Sequence, residues 1–99
     1  MIIMFPTNEN IGLQAKLVED FNSAKFYTLI RINKKGAVLS ITSITNDKIN
    51  EINPYAIVTS EPINNKRYDN TPIFIDETSK NVDTALVKVL KEKLFNKAS

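Results

Sequence analysis

The fold class of this chain follows from one stretch of sequence, FYTLIRINKKGAVLSITSI, which covers residues 26–44. Aromatic and β-branched residues dominate both halves of the stretch, and such residues favour strands. Between the halves stand Asn33, two lysines and Gly36, a set that predicts a turn with Gly36 at positive φ. The stretch therefore predicts a β-hairpin, with one strand over residues 26–33 and the next over residues 38–44.

Shorter apolar runs lie on either side of this hairpin. Residues 2–5 read Ile-Ile-Met-Phe and are followed by Pro6, where we expect the first strand to end. Residues 55–59 begin with Tyr-Ala-Ile-Val, and residues 73–76 follow Pro72. The continuous apolar runs at residues 2–5 and 55–58 predict strands that are buried on both faces, and residues 73–76 are expected to form a fifth strand. A hairpin beside such strands predicts an α/β fold with a mixed five-stranded sheet and helices packed on it.

Apolar spacings of three and four residues predict where the helices lie. The clearest stripe is C-terminal and predicts one long helix, formed by Val82, Ala85, Leu86, Val89, Leu90 and Leu94. Thr78 or Ser79 is expected to cap its start, and Phe95, beyond the stripe, is a candidate for a partner contact. Similar spacing predicts a short helix over residues 14–21, and residues 46–53 are expected to form one or two helical turns.

Composition limits the classes of function. The 99 residues predict one domain, 1–99, and the net charge of +2 is too small to indicate a nucleic-acid-binding face. The segment Asn65-Lys66-Arg67-Tyr68 is either a solvated loop or a small stacking and charge contact to nucleic acid, and the solvated loop is the commoner case. The apolar start is too short for a signal peptide or a membrane helix, so we expect a cytoplasmic protein.

The chain contains no histidine and no cysteine. It therefore lacks the usual base near neutral pH, the thiolate nucleophile and the two commonest soft metal ligands. No serine has a lysine three positions later, and two glycines are too few for a phosphate-binding loop. We expect no catalysis, because a hydroxyl nucleophile needs a positioned base.

Polar residues follow two of the predicted strands. Thr7 and Asn8 come after the first strand, and Ser60 and Glu61 come after the fourth. Open α/β sheets place ligands at the carboxyl ends of their strands. If these strands are parallel neighbours, the two loops share an edge and form one shallow pocket for a small anion or nucleotide. The alternative is a pair of ordinary polar turns.

Adjacent carboxylates offer a second candidate site. Glu19 and Asp20, with Glu9 in the preceding loop, could hold a divalent cation through oxygen, or they could cap and solvate a short helix. No spacing here matches a defined oxygen-ligand loop, so the sequence predicts no metal site.

Three features together resemble the dinitrogenase iron-molybdenum cofactor biosynthesis family, which includes NifX and the C-terminal part of NifB. The features are Phe5-Pro6-Thr7-Asn8 followed by Gly12-Leu13, the stretch of residues 20–27 before an aromatic-rich strand, and the ending of residues 72–75 and 82–86. The resemblance implies a ribonuclease H-like fold, a mixed five-stranded sheet with flanking helices. It also implies a small binding or carrier domain for an iron–sulfur or iron–molybdenum cluster.

The chain departs from the family at the ligand positions. Asp20 stands in place of the family's histidine, Asn22 in place of its glycine and Ser23 in place of its arginine. Residues 60–65 replace its Gly-rich loop. A single carboxylate is a poor substitute for imidazole at a soft cluster. The departures indicate the alternative of a divergent scaffold without a metal cofactor, acting through contact with a protein partner or as a homodimer through the edge of the hairpin.

Overall fold

The computed structural model describes residues 1–94 and contains a five-stranded sheet. The strands are β1 (Ile2–Thr7), β2 (Phe26–Ile32), β3 (Val38–Thr45), β4 (Ala56–Thr59) and β5 (Ile73–Ile75). Their order is β3-β2-β1-β4-β5. The pairs β1–β2 and β2–β3 are antiparallel, whereas β1–β4 and β4–β5 are parallel. The predicted fold class, an α/β fold with a mixed sheet, is confirmed.

Helical segments follow or connect the strands. Helix α1 (Val82–Val89) continues as a π-helical turn, Leu90–Leu94. Short 3₁₀ turns span Gly12–Gln14, Phe21–Ser23, Asn46–Glu51 and Lys66–Tyr68. No helix within residues 1–94 is long and apolar enough to cross a membrane. Phe95 lies outside the described residues.

The β2–β3 hairpin has the predicted turn. Gly36 adopts a φ of 86°, and the Asn33 side-chain oxygen accepts from the amides of Lys35 at 2.8 Å and Ala37 at 3.0 Å. Pairing runs from Phe26 opposite Thr45 towards the turn, with one register shift between Arg31 and Ile32. The shift is a β-bulge near the turn end of β3.

Helix α1 covers one face of the sheet. We call the apolar core on this face the helix-side cluster, made of Ile3, Phe5, Ala15, Ile30, Ile32, Val58, Val82, Ala85, Leu86 and Val89. Alternation along β1 places Ile3 and Phe5 here and Met4 on the other face. The predicted apolar stripe of α1 is confirmed as core over its described length.

The opposite face is covered by 3₁₀ turns and loops. We call its core the turn-side cluster, made of Met4, Phe21, Ala24, Tyr27, Leu29, Ile57 and Tyr68. The ring of Phe21 lies 5.0 Å from that of Tyr27 and 5.5 Å from that of Tyr68. Aromatic packing at these separations is favourable, and it fills the face that no α-helix within residues 1–94 covers.

The helix predicted over residues 14–21 is wrong. Ala15 to Val18 run extended, and the Leu17 amide donates to the Lys80 carbonyl at 3.0 Å. The Val82 amide donates to the Ala15 carbonyl at 2.9 Å, and the Val18 amide donates to the Pro6 carbonyl at 3.1 Å. These bonds to distant segments replace the local bonds of a helix.

Three smaller predictions also need correction. Strand β1 continues through Pro6 to Thr7 instead of ending at Phe5, because both residues still face β2 in the antiparallel register. Tyr55 precedes β4 and is 49% exposed instead of buried. Helix α1 is capped by Asn81, whose side chain accepts from the Thr84 amide at 3.1 Å, and not by Thr78 or Ser79.

Candidate functional site

Three parallel strands end at the same edge of the sheet. Strands β1, β4 and β5 run in one direction, so the loops after Thr7, Thr59 and Ile75 emerge together. We call this the carboxyl edge. Strands β1 and β4 are parallel neighbours, as the predicted shared pocket requires.

The loop after β1 bonds to its own chain. Thr7 is fully buried, and its hydroxyl donates to the Glu9 carbonyl at 3.0 Å. The Asn8 side-chain oxygen accepts from the Lys25 amide at 3.1 Å, and a Glu9 carboxylate oxygen accepts from the Lys16 amide at 3.3 Å. These polar groups fix the turn between β1 and the following segment.

Asp20 and Asn22 lie together at the turn-side cluster. The Asp20 carboxylate accepts from the Asn22 amide at 3.1 Å and caps the turn Phe21–Ser23. The Asn22 side-chain oxygen accepts from the Asn65 side-chain amide at 3.3 Å, which joins two loops. Both side chains therefore cap a turn or tie neighbouring loops together.

Ser60 and Glu61 line a cleft at the carboxyl edge. The cleft has a volume of about 490 Å³ and is lined by Lys16, Leu17, Glu19, Ser60, Glu61, Glu77, Ser79 and Lys80. The extended segment around Leu17 is part of this wall, and Thr7 and Asn8 are not. Of the six predicted ligand-binding residues, the structure places two in the cleft.

The charge of this cleft is mixed. Its lining includes three carboxylates, those of Glu19, Glu61 and Glu77, and two ammonium groups, those of Lys16 and Lys80. This balance does not favour a phosphate or a nucleotide, whose sites need an excess of positive charge or converging backbone amides.

Asp76 is a residue that the sequence analysis missed. It follows β5, and its carboxylate accepts from the amides of Thr78 at 3.0 Å and Ser79 at 2.9 Å. The Lys88 ammonium lies 3.9 Å away. Burial alone would raise the pKa of Asp76, but the hydrogen bonds from Ser79 and Thr78 outweigh it and hold that pKa below its usual range. Applying the strand-end rule to β5 as well as β4 would have found it.

A second cleft lies between β5 and α1. Its volume is about 340 Å³, and its walls are the apolar side chains of Val58, Phe74, Ala85 and Val89 with Asp76, Lys88 and Glu92 at the rim. Because Asp76 is already satisfied by its own loop, its carboxylate is a structural group in this arrangement.

The basic segment at residues 65–68 is used within the fold. The Arg67 guanidinium donates to the carbonyl oxygens of Asn50 at 2.7 Å and Ile52 at 3.2 Å. It also lies over the Tyr68 ring, 5.8 Å from its centroid, and Tyr68 itself is buried. This arrangement fits a structural loop that holds the turn Asn46–Glu51 in place.

The donor set does not fit an iron cluster. Such clusters bind through thiolate or imidazole groups, and these 99 residues contain neither. Among residues 1–94, no group of three or more carboxylates lies close enough together to hold a metal ion. The carboxylate at the family's histidine position, Asp20, is occupied as a cap.

The edge strand β3 is the other feature of functional interest. It has eight residues, none of them charged, and no proline or glycine. Val38, Leu39 and Ile41 are each at least 40% exposed. Long uncharged edge strands present unpaired amides and carbonyls that can pair with another chain. The other edge, β5, has only three residues.

Solved structures of other proteins have a similar fold. The chain is similar to PH0822 with a TM-score of 0.74 and 12% identity, over 95% of this chain and 93% of that one. It is similar to a protein from Methanocaldococcus jannaschii designated "putative dinitrogenase", with a TM-score of 0.71 and 19% identity, over 95% of this chain and 91% of that one. No family model and no curated protein matches the chain. These likenesses show the fold.

Proposed function

We propose that this chain is a non-catalytic binding domain that acts by contact with another protein, and that the contact surface is the β3 edge. One observation carries the proposal, namely an eight-residue edge strand without charge and with exposed Val38, Leu39 and Ile41. Natural edge strands are usually protected by charge, proline or shortness. β3 has none of these three, and the bulge next to Leu39 leaves the strand regular from Ser40 onwards.

A non-catalytic role is supported by the side chains available. The chain offers no imidazole or thiol, and the contacts of Asp20 and Asp76 are caps and turns. The pKa of Tyr27 is raised to about 12, so this phenol stays neutral at physiological pH and is a poor acid or base.

A cluster carrier is the other function that the resemblance implies. The support for it is the layout of the chain and the likeness to the M. jannaschii protein. The lack of soft ligands argues against it. We therefore place protein contact first.

A site-specific photo-crosslinker tests the proposal. It is placed at the exposed position 42 of β3 and, as a matched control, at the exposed Val87 position of α1. We expect protein adducts in cells from position 42 and not from position 87, because an edge strand such as β3 offers unpaired backbone groups and the face of α1 does not. Equal labelling from both positions, or none from position 42, contradicts the proposal.

A further inference from the structure

We infer that the cleft between β5 and α1 binds an extended basic peptide segment, which pairs with the outer edge of β5 and inserts one large apolar side chain beside α1. We call it the β5–α1 cleft. It lies at the opposite edge of the sheet from β3, so the inference names a second contact surface and does not depend on the proposed function. In strand addition of this kind, backbone bonds supply affinity and a pocket supplies specificity.

The backbone groups of β5 face β4 and the outside in turn. The Pro72 carbonyl accepts from an amide of β4 at 3.0 Å, and the Asp76 amide donates to a carbonyl of β4 at 2.8 Å. Because the direction of these groups alternates along a strand, the amides and carbonyls of Ile73 and Ile75 point away from β4. These two residues therefore offer hydrogen bonds to an added strand.

The β5–α1 cleft opens beside this edge. The Phe74 side chain packs on the helix-side cluster, so it lies on the same side of the sheet as α1. A residue of an added strand that lies directly opposite Phe74 points to that side as well. Its side chain enters the cleft, whose volume of about 340 Å³ is at the lower end of the range for ligand pockets and suits one large side chain.

The walls of the cleft select an apolar side chain. Val58 of β4 and Ala85 and Val89 of α1 line it, and all three belong to the helix-side cluster. An apolar group placed against them leaves water, which favours binding, whereas a polar group loses its bonds to water.

The rim of the cleft selects basic residues in the same peptide. It carries three carboxylates, those of Asp76, Glu77 and Glu92, and one ammonium group, that of Lys88. Lys88 lies 3.9 Å from Asp76, so the charge of this lysine is already offset and the other two carboxylates are in excess. A lysine or arginine close to the inserted residue complements this rim, and an acidic residue is repelled by it.

The shortness of β5 makes the cleft necessary for binding. A strand of three residues offers few backbone bonds, and short edge strands resist unspecific pairing. A peptide is held only when it makes the backbone bonds and fills the cleft together. We therefore expect selective binding of peptides that carry both an apolar and a basic residue.

A phage-displayed library of random heptapeptides, selected on the immobilised full chain, tests the inference. We expect enriched sequences with one large apolar residue and a lysine or arginine close to it. The most enriched sequence is then made as a fluorescent peptide, and its dissociation constant is measured by anisotropy. A selection without enrichment, or one that enriches acidic sequences, overturns the inference.

Methylation of the peptide backbone distinguishes strand addition from other docking modes. Only alternate amides of an added strand face β5. Methylating one alternate set of amides is expected to raise the dissociation constant about tenfold or more, and methylating the other set changes it less than about twofold. Equal effects from the two sets contradict strand addition.

Two pairs of protein variants locate the site. Ile75→Pro removes an outward amide at an edge position that tolerates proline, and we expect it to raise the dissociation constant about tenfold, whereas Ile75→Ala keeps the amide and has a small effect. Glu92→Lys is expected to weaken binding several-fold, and Glu51→Lys, at an exposed position away from the cleft, leaves it unchanged.

Thermal melts show whether each variant is folded. If Ile75→Pro unfolds, the methylated peptides test the same backbone bonds on the wild-type protein. Wild-type affinity in a folded Ile75→Pro variant or in Glu92→Lys overturns the inference. Neither result affects the crosslinking test at position 42, so the proposed function stands or falls separately.

Discussion

Tyr27 offers a test of how the turn-side cluster is held together. Its side chain is 1% exposed, and its hydroxyl donates to the Phe21 carbonyl at 2.6 Å and accepts from the Asn46 side-chain amide at 3.0 Å. Tyr27→Phe keeps the ring and removes both bonds. Asn46 retains its bond to the Ala24 carbonyl at 2.7 Å, but the Phe21 carbonyl loses this donor. The expected loss of unfolding free energy is about 1–3 kcal/mol.

Tyr68→Phe is the matched control. Tyr68 lies in the same cluster, and its buried hydroxyl has no hydrogen-bond partner among residues 1–94. Removing an unpaired buried hydroxyl is expected to be neutral or to stabilise the fold by up to about 1 kcal/mol. Urea denaturation measures both variants, with an unchanged m-value showing that the unfolding transition is the same. Equal losses for the two variants would refute the assignment of these hydrogen bonds.

The raised pKa of Tyr27 predicts that the folded protein loses stability at alkaline pH. Burial, with Tyr68 and Asp20 nearby, raises the pKa of Tyr27 to about 12 from an ordinary value of 10.0. The raised folded-state pKa means that its contribution is complete below pH 10.0 and is lost as the pH rises towards about 12. Tyr27→Phe should therefore flatten the decline of the urea midpoint over this range. A decline identical to that of the wild type would contradict the raised pKa.

Further substitutions test other parts of the structure. Asp76→Asn should destabilise the protein at neutral pH. The folded-state pKa of Asp76 is lowered from its ordinary value of 3.8. The extra stability of the wild type over the variant is therefore present above pH 3.8 and is lost as the pH falls through the folded-state pKa. A pH series of urea midpoints would show this loss. Asn81→Ala should lower the free energy of unfolding by about 1 kcal/mol, because it removes the cap of α1. Thr84→Ala should lower it less, because the amide at position 84 that donates to Asn81 remains. Thermal melts would measure both variants. Gly36→Ala should cost about 1 kcal/mol, because φ of 86° is strained for alanine, and equilibrium denaturation would measure it.

Periodicity predicted the strands and α1 well but failed at residues 14–21. Leu13 and Leu17 pack on the helix-side cluster, whereas Val18 and Phe21 pack on the turn-side cluster. One segment therefore serves both faces of the sheet, and its apolar spacing imitates one stripe of a helix. A single sequence does not reveal this, because the bonds that keep the segment extended come from residues 80–82 and β1.

The capping error has a similar cause. Thr78 and Ser79 are good capping residues by type, but the Asp76 carboxylate accepts from both of their amides in a turn before the helix. The helix starts after Asn81 as a result. Sequence reasoning reached Ser60 and Glu61 by the strand-end rule, and it missed Asp76 and Ser79 because that rule was applied to only two of the three parallel strands.

This chain has the fold of the M. jannaschii protein, and we expect it to bind no metal cluster. Anaerobic titration of the purified protein with an iron–sulfur or iron–molybdenum species, followed by absorption spectra and the iron content of the eluted protein, tests it most directly. We predict no new absorption band and no iron co-eluting with the protein. A stoichiometric iron centre that is lost in Asp20→Ala and kept in the neighbouring control Glu19→Ala would contradict the claim.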